Sequence, residues 1–182
     1  MSDESRAEHT AAASLATLRV IVLGLASGVL VFLTVVLFAG PGNAQPGRLW
    51  TIMAVLAGLA VVGRAIVPPL MLRHFMQQIS QGTWQSFGSR NRPMPTTAEE
   101  QLMMAYTTIT IVSCALLEGA AFANVYAYQV EQHWASLTIA CGLVGLMLLH
   151  FPVRSRVDSW IEGRLRWLRE DRDLNPSQRH DA

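Results

Sequence analysis

The chain has 182 residues, of which 51% are hydrophobic and 15% charged. A soluble domain carries about a quarter charged residues, so this balance argues against an ordinary soluble globular protein. Its formal net charge of +1 excludes a strongly basic nucleic-acid binder and a strongly acidic tail protein.

The charges gather at residues 1–19, 73–101 and 152–182, leaving four nearly bare apolar stretches, Val20–Ala39, Leu49–Leu72, Met103–Val130 and Ala135–Phe151. A hydrocarbon core of about 30 Å needs about 20 apolar residues per helix. The expectation is an all-α bundle of four transmembrane helices. In this reading residues 1–16 are a polar tail, disordered or frayed into helix 1. The membrane domain spans 17–151, with helices near 20–39, 49–72, 97–131 and 135–151. A cytoplasmic amphipathic helix covers 152–172 and a disordered tail 173–182.

The first apolar stretch is longer than a secretory leader's and follows a segment of mixed charge, so it reads as a retained helix. Cleavage near Gly42-Asn43-Ala44 is the alternative. The helix carries Gly24 and Gly28, a G-x-x-x-G pair of the kind that lets helices approach closely. Residues 40–48 (G-P-G-N-A-Q-P-G-R) predict a turn. Helix 2 then meets Pro68-Pro69, where the missing backbone donors predict a kink or an end, with Leu70 to Ile79 as a short interfacial piece. A polar loop follows over 77–96.

Thr96 and Thr97 each precede a glutamate by three residues, which predicts a capping box and a start for helix 3 near Thr97. Residues 131–134 are too few for more than a tight turn, so helices 3 and 4 form an antiparallel hairpin, with Trp134 at the membrane interface. After Pro152, Val153, Val157, Trp160, Ile161, Leu165 and Leu168 recur at threes and fours. That spacing predicts an amphipathic helix lying on the membrane surface.

All fourteen basic residues are arginine. Twelve of them flank segments that share one side if both termini are cytoplasmic; Arg48 lies in an outer loop and Arg64 inside helix 2. The positive-inside rule therefore places both termini in the cytoplasm. The expected location is a cell (inner) membrane.

Glu118 is the residue that carries chemistry. It lies near the bilayer midplane, about 18 Å along the helix from Tyr106. A carboxylate there costs roughly 2.5–3.5 kcal/mol on insertion scales, which makes it a functional candidate by default. With no adjacent cation, the carboxyl would be neutral for much of the time and able to take up and release a proton. Thr107, Thr110 and Cys114 share a face leading from the cytoplasm to Glu118 and are candidates for proton access. Arg64, about 9 Å nearer the cytoplasm, is a candidate ion-pair partner, or else snorkels to the headgroups. Ala115, Gly119, Ala123 and Ala127 fall at four-residue intervals and, with Gly24 and Gly28, are candidates for helix packing and a homo-oligomer.

The structural alternatives are weightier. Neutral Glu118 then only holds helices together, Thr107 and Thr110 bond their own helix, and Asn124 is an interhelical hydrogen-bonder. Glu131, Gln132 and His133 read as solvated turn, being too few for a metal site. His74 and His150 lie at the cytoplasmic boundary, Tyr106, Tyr126 and Tyr128 read as interface anchors, and Cys114 and Cys141 as small packing residues. No nucleophile elbow, H-E-x-x-H or Gly-rich phosphate loop occurs, so no enzyme, metal or cofactor is expected, and no nucleic-acid partner. The lipid bilayer is the expected partner.

The run A-L-L-E-G-A-A-F-A-N-V-Y-A-Y (Ala115 to Tyr128), followed by a short turn and a helix ending H-F-P-V-R, resembles a group of uncharacterised bacterial four-helix membrane proteins. It implies a shared architecture across helices 3 and 4. The same site is faintly similar to the proton-carrying subunit c of rotary ATPases: Glu118 is followed by Phe122, Ala123 and Val125, and a polar loop holds Arg90-Asn91-Arg92-Pro93. That likeness implies proton binding at Glu118 alone, since the glycine-rich first helix of subunit c has no counterpart in helix 2. Small multidrug transporters carry their key glutamate in the first helix, so the match to them fails. The leading expectation is a non-enzymatic packing or scaffold protein; the competing one is a proton-coupled carrier or channel working through Glu118.

Overall fold

The computed structural model describes residues 3–40, 47–80, 97–149 and 151–174. Within them the chain forms α1 (Asp3–Phe38), α2 (Leu49–Ser80), α3 (Ala98–Glu131), α4 (Trp134–Leu149) and α5 (Arg154–Leu174), with no strand among the described residues. Three helices are long and apolar enough to cross a membrane, or four if the bent pair α4–α5 counts as one span. The loop containing Arg90-Asn91-Arg92-Pro93, the end of the tail and His150 lie outside the described residues.

α3 is the mast of the bundle. It packs against α1, α2, α4 and α5, and α4 in turn touches α1 and α2. No appreciable contact joins α1 to α2. The four apolar helices thus form a diamond, with α3 and α4 on its short diagonal. Burial follows this layout: 39% of the apolar window of α3 is buried, against 22% for α1 and 11% for α2. The unburied remainder of α1 and α2 is aliphatic, as in Val31, Val35, Val55 and Leu59, which suits contact with lipid tails.

The core of the diamond joins Leu18, Val22 and Val29 of α1 to Leu117, Ala121 and Val125 of α3 and to Leu143 and Met147 of α4. A second cluster lies beyond the apolar segments, at the end of the bundle opposite the α3–α4 turn. There Leu15, Met76, Leu102, Met103, Val157 and Ile161 bring α1, α2, α3 and α5 together.

Three elements run differently from the sequence expectation. α1 begins at Asp3, so most of the polar N-terminal tail is helix. α2 passes through Pro68 and Pro69 without ending and continues to Ser80. The prolines still withhold the N–H groups that would serve the carbonyls of Arg64 and Ala65. Burial of Phe75 and Met76 beyond them favours continuation of the helix. Finally, α5 turns its apolar face to the protein. Val157 and Ile161 are buried in the second cluster, while Val153 on the same side is exposed. Amphipathic spacing fixes which side of a helix is apolar and leaves open what that side meets.

The α4–α5 elbow bends by 66°. Arg19 of α1 fastens it: its Nε donates to the Pro152 carbonyl at 3.1 Å, and its guanidinium stands 5.9 Å from the Phe151 ring centre.

Candidate functional site

α3 is positioned from both ends. At its start Thr97 is the N-cap: Thr97 Oγ1 accepts from the Glu100 N–H at 3.3 Å, and the Thr97 N–H donates to Glu100 Oε2 at 3.4 Å. This is the capping box expected from the sequence, built on Thr97; Thr96 lies outside the described residues. At its end Gln132 adopts a left-handed conformation, φ 54°, and its N–H returns to the Tyr128 carbonyl at 2.8 Å. α4 starts after His133, whose Nδ1 accepts the Ala135 N–H at 3.3 Å.

Between these anchors Glu118 faces α1. A Cβ placed on Gly28 would lie 3.7 Å from Glu118 Oε1 and 3.7 Å from Phe122 Cζ. Gly28 is therefore a notch into which the carboxyl and the Phe122 ring fit. One turn away, Phe32 meets Phe122 with ring centres 5.5 Å apart. Gly24, the other half of the G-x-x-x-G pair, is exposed with nothing within 4 Å of its would-be Cβ. Glu118 is half-buried. Among the described residues no ion pair or hydrogen bond reaches it.

Arg64 is half-buried on α2, and no ion pair joins it to Glu118 among the described residues. Cys114, fully buried one turn before Glu118, lies within electrostatic reach of both. The two charge-bearing side chains thus border the same part of α3 from opposite sides of the diamond.

The three access candidates differ in their contacts, and Cys114 is within electrostatic reach of both Tyr106 and Glu118. Thr107 Oγ1 donates to its own helix at the Met103 carbonyl, 2.9 Å. Thr110 meets the Tyr106 side chain. Ser113, absent from the sequence reading, donates to Ile109 O at 2.7 Å. The small-residue row does not keep to one face either. Ala115 and Gly119 are exposed, Ala123 is half-buried and Ala127 is buried. Each four-residue step advances about 40° around a helix, so three steps carry the row about 120° from lipid into the core.

Two polar residues fasten α3 to α2, one as the sequence suggested and one not. Asn124 is fully buried, and its Nδ2 donates to Met53 O of α2 at 3.1 Å and to Ala120 O at 2.8 Å. Among the described residues it is the side-chain hydrogen bond between helices within the apolar region. Glu131 is no solvated turn residue. Its Oε1 accepts the Leu49 N–H at 2.6 Å and its Oε2 the Trp50 N–H at 2.9 Å. A carboxylate on the free N–H groups of a helix start satisfies orphan donors and complements the helix dipole. Beside it the Trp50 ring stacks on His133, 4.5 Å between centres and 5° from parallel. The signal in the sequence was an α2 start, Leu49-Trp50, with no Ser, Thr, Asp or Asn just before it to serve as its own cap.

The geometry that sets Glu118 apart is a carboxyl at the α1–α3 seam with a glycine opposite and no bonding partner among the described residues. Comparison with family models, with curated proteins and with solved structures gives no match for this chain, so the reading rests on this geometry.

Proposed function

We propose that the chain is a non-enzymatic, multi-pass membrane protein of four spans, with both termini cytoplasmic, in which Glu118 is a proton-binding carboxyl. The location that goes with this is a bacterial inner membrane. The fourth span is α4, whose 16 residues reach about 24 Å and are followed by Phe151-Pro152-Val153. Arginine placement supports the orientation.

One observation carries the reading: Glu118 has no hydrogen-bond partner among the described residues, while Asn124, six residues on, supplies the bond between helices. Interhelical glue is therefore provided elsewhere. A carboxyl kept at the midplane without a structural bond is costly, and a proton-binding role accounts for its presence. The packing reading retains one supporting observation, the fit of Glu118 and Phe122 against Gly28. Proton access is assigned to the face of Thr107, Thr110 and Cys114 that leads to Glu118; Thr110 meets Tyr106, and Cys114 lies within electrostatic reach of Glu118.

The test is proton flux into liposomes holding the purified protein under an imposed pH gradient, for wild type and Glu118→Gln. Flux that is present in wild type and lost in a folded Glu118→Gln variant supports the proposal. Equal flux in both assigns Glu118 to packing.

A further inference from the structure

The two flanks of α5 differ in a way its apolar spacing conceals. Arg156 and Arg164 each stand four residues from Trp160, about 40° around the axis, so the three form one row. Asp158 and Glu162 stand two residues from Trp160, about 160° around, on the far side. Within this row no acid interrupts the positive charge. The Arg164 guanidinium stands 5.7 Å from the Trp160 ring centre. Arg154, by contrast, belongs to the other flank and is paired with Asp158 at 3.7 Å.

The contacts of α3 say which way this row looks. Val157 and Ile161 cluster with Leu102 and Met103, near the cytoplasmic start of α3. Trp160 packs at the edge of that cluster and also meets Tyr106, with ring centres 5.3 Å apart, a turn further toward the bilayer. Arg156 is within electrostatic reach of the same tyrosine. Tyr106 packs against both the cytoplasmic cluster and the core of the diamond, so it marks the boundary between them. The arginine–tryptophan row is the membrane-facing flank of α5, at headgroup level.

We propose that Arg156, Trp160 and Arg164 bind the phosphate of an anionic phospholipid in the cytoplasmic leaflet. Guanidinium groups bind phosphate through paired charge-assisted hydrogen bonds, and tryptophan favours the headgroup region. With Val157 and Ile161 buried on the protein, this row supplies the charged contact between the helix and the bilayer. The inference rests on the membrane orientation given above and is independent of Glu118.

The experiment titrates the detergent-solubilised full chain with short-chain phosphatidylglycerol and, separately, phosphatidylcholine, reading bound lipid by native mass spectrometry. The expected result is a preference for phosphatidylglycerol that falls at least about tenfold in Arg156→Gln/Arg164→Gln. The Lys/Lys version, which keeps the charges and loses the paired hydrogen bonds, falls between wild type and the glutamine pair, while Arg154→Gln/Arg166→Gln on the other faces stays within about threefold. Glu118→Gln binds as wild type does, so failure of the proton reading leaves this result standing. Equal binding of the two lipids overturns the proposal. So does an equal loss in both glutamine pairs, or displacement of the lipid by inorganic phosphate at matched ionic strength.

Discussion

Two glutamates on one helix have opposite fates. Glu131, at the C-terminal end of α3, gives both carboxylate oxygens to the start of α2. Glu118, about 20 Å away along the same helix, touches a glycine notch and has no bonding partner among the described residues. Both were visible as isolated acids in or beside an apolar run. The difference teaches that a carboxylate near the membrane is explained by its partners and not by its depth. Where backbone donors are free, as at a helix start, the charge is a structural fastener. Where no donor is offered, the charge calls for another explanation.

If this contrast is right, the largest disturbance comes from filling the notch opposite Glu118. Gly28→Leu adds a branched side chain where even a Cβ would be in van der Waals contact. It should lower stability by about 1–3 kcal/mol. Thermal unfolding in detergent is the measurement, with Gly28→Ala expected to stay close to wild type. A wild-type melting curve for the leucine variant would mean that the seam does not form.

Next comes the fastener itself. Glu131→Ala removes two charge-assisted bonds to α2 and should cost about 2 kcal/mol, with Glu131→Gln intermediate. Hydrogen exchange at Leu49 and Trp50 should accelerate in the alanine variant while Thr97 and Glu100 keep their protection. Uniform acceleration throughout the chain would remove Glu131 from its special place.

Asn124→Ala should cost less, about 0.6–1.7 kcal/mol, the range typical of hydrogen bonds between membrane helices. Unfolding in a double-variant cycle with a change at Glu131 tests whether the two fasteners of α2 to α3 are independent. The smallest effect on stability belongs to Glu118→Gln, under about 0.5 kcal/mol, because no bond is lost. A loss as large as that of Glu131→Ala would show that Glu118 has a partner after all.

These expectations also mark where the sequence is transparent. The Thr97–Glu100 capping box is local, and three residues suffice to read it. The apolar helices and the short α3–α4 turn are equally local, being matters of length and periodicity. The Glu131 cap joins residues 82 and 81 positions apart, and no pattern within α3 announces it. The same holds for the packing of α5 on α1, α2 and α3, and for the Arg19 bond to Pro152, 133 residues away. Pro68 and Pro69 mislead for a related reason: local propensity weakens α2 there, but the burial of Phe75 and Met76 beyond them outweighs it. Glu118 itself was evident from the sequence, whereas Gly28 as its opposite number required the fold.

The central claim is that Glu118 exchanges a proton. Infrared difference spectroscopy of the protein in lipid, taken through a pH titration, tests it most directly. The account predicts a carboxylic-acid carbonyl band that vanishes on alkalinisation, returns on acidification and is missing in Glu118→Gln. A spectrum in which wild type and Glu118→Gln show no difference at any pH would contradict it.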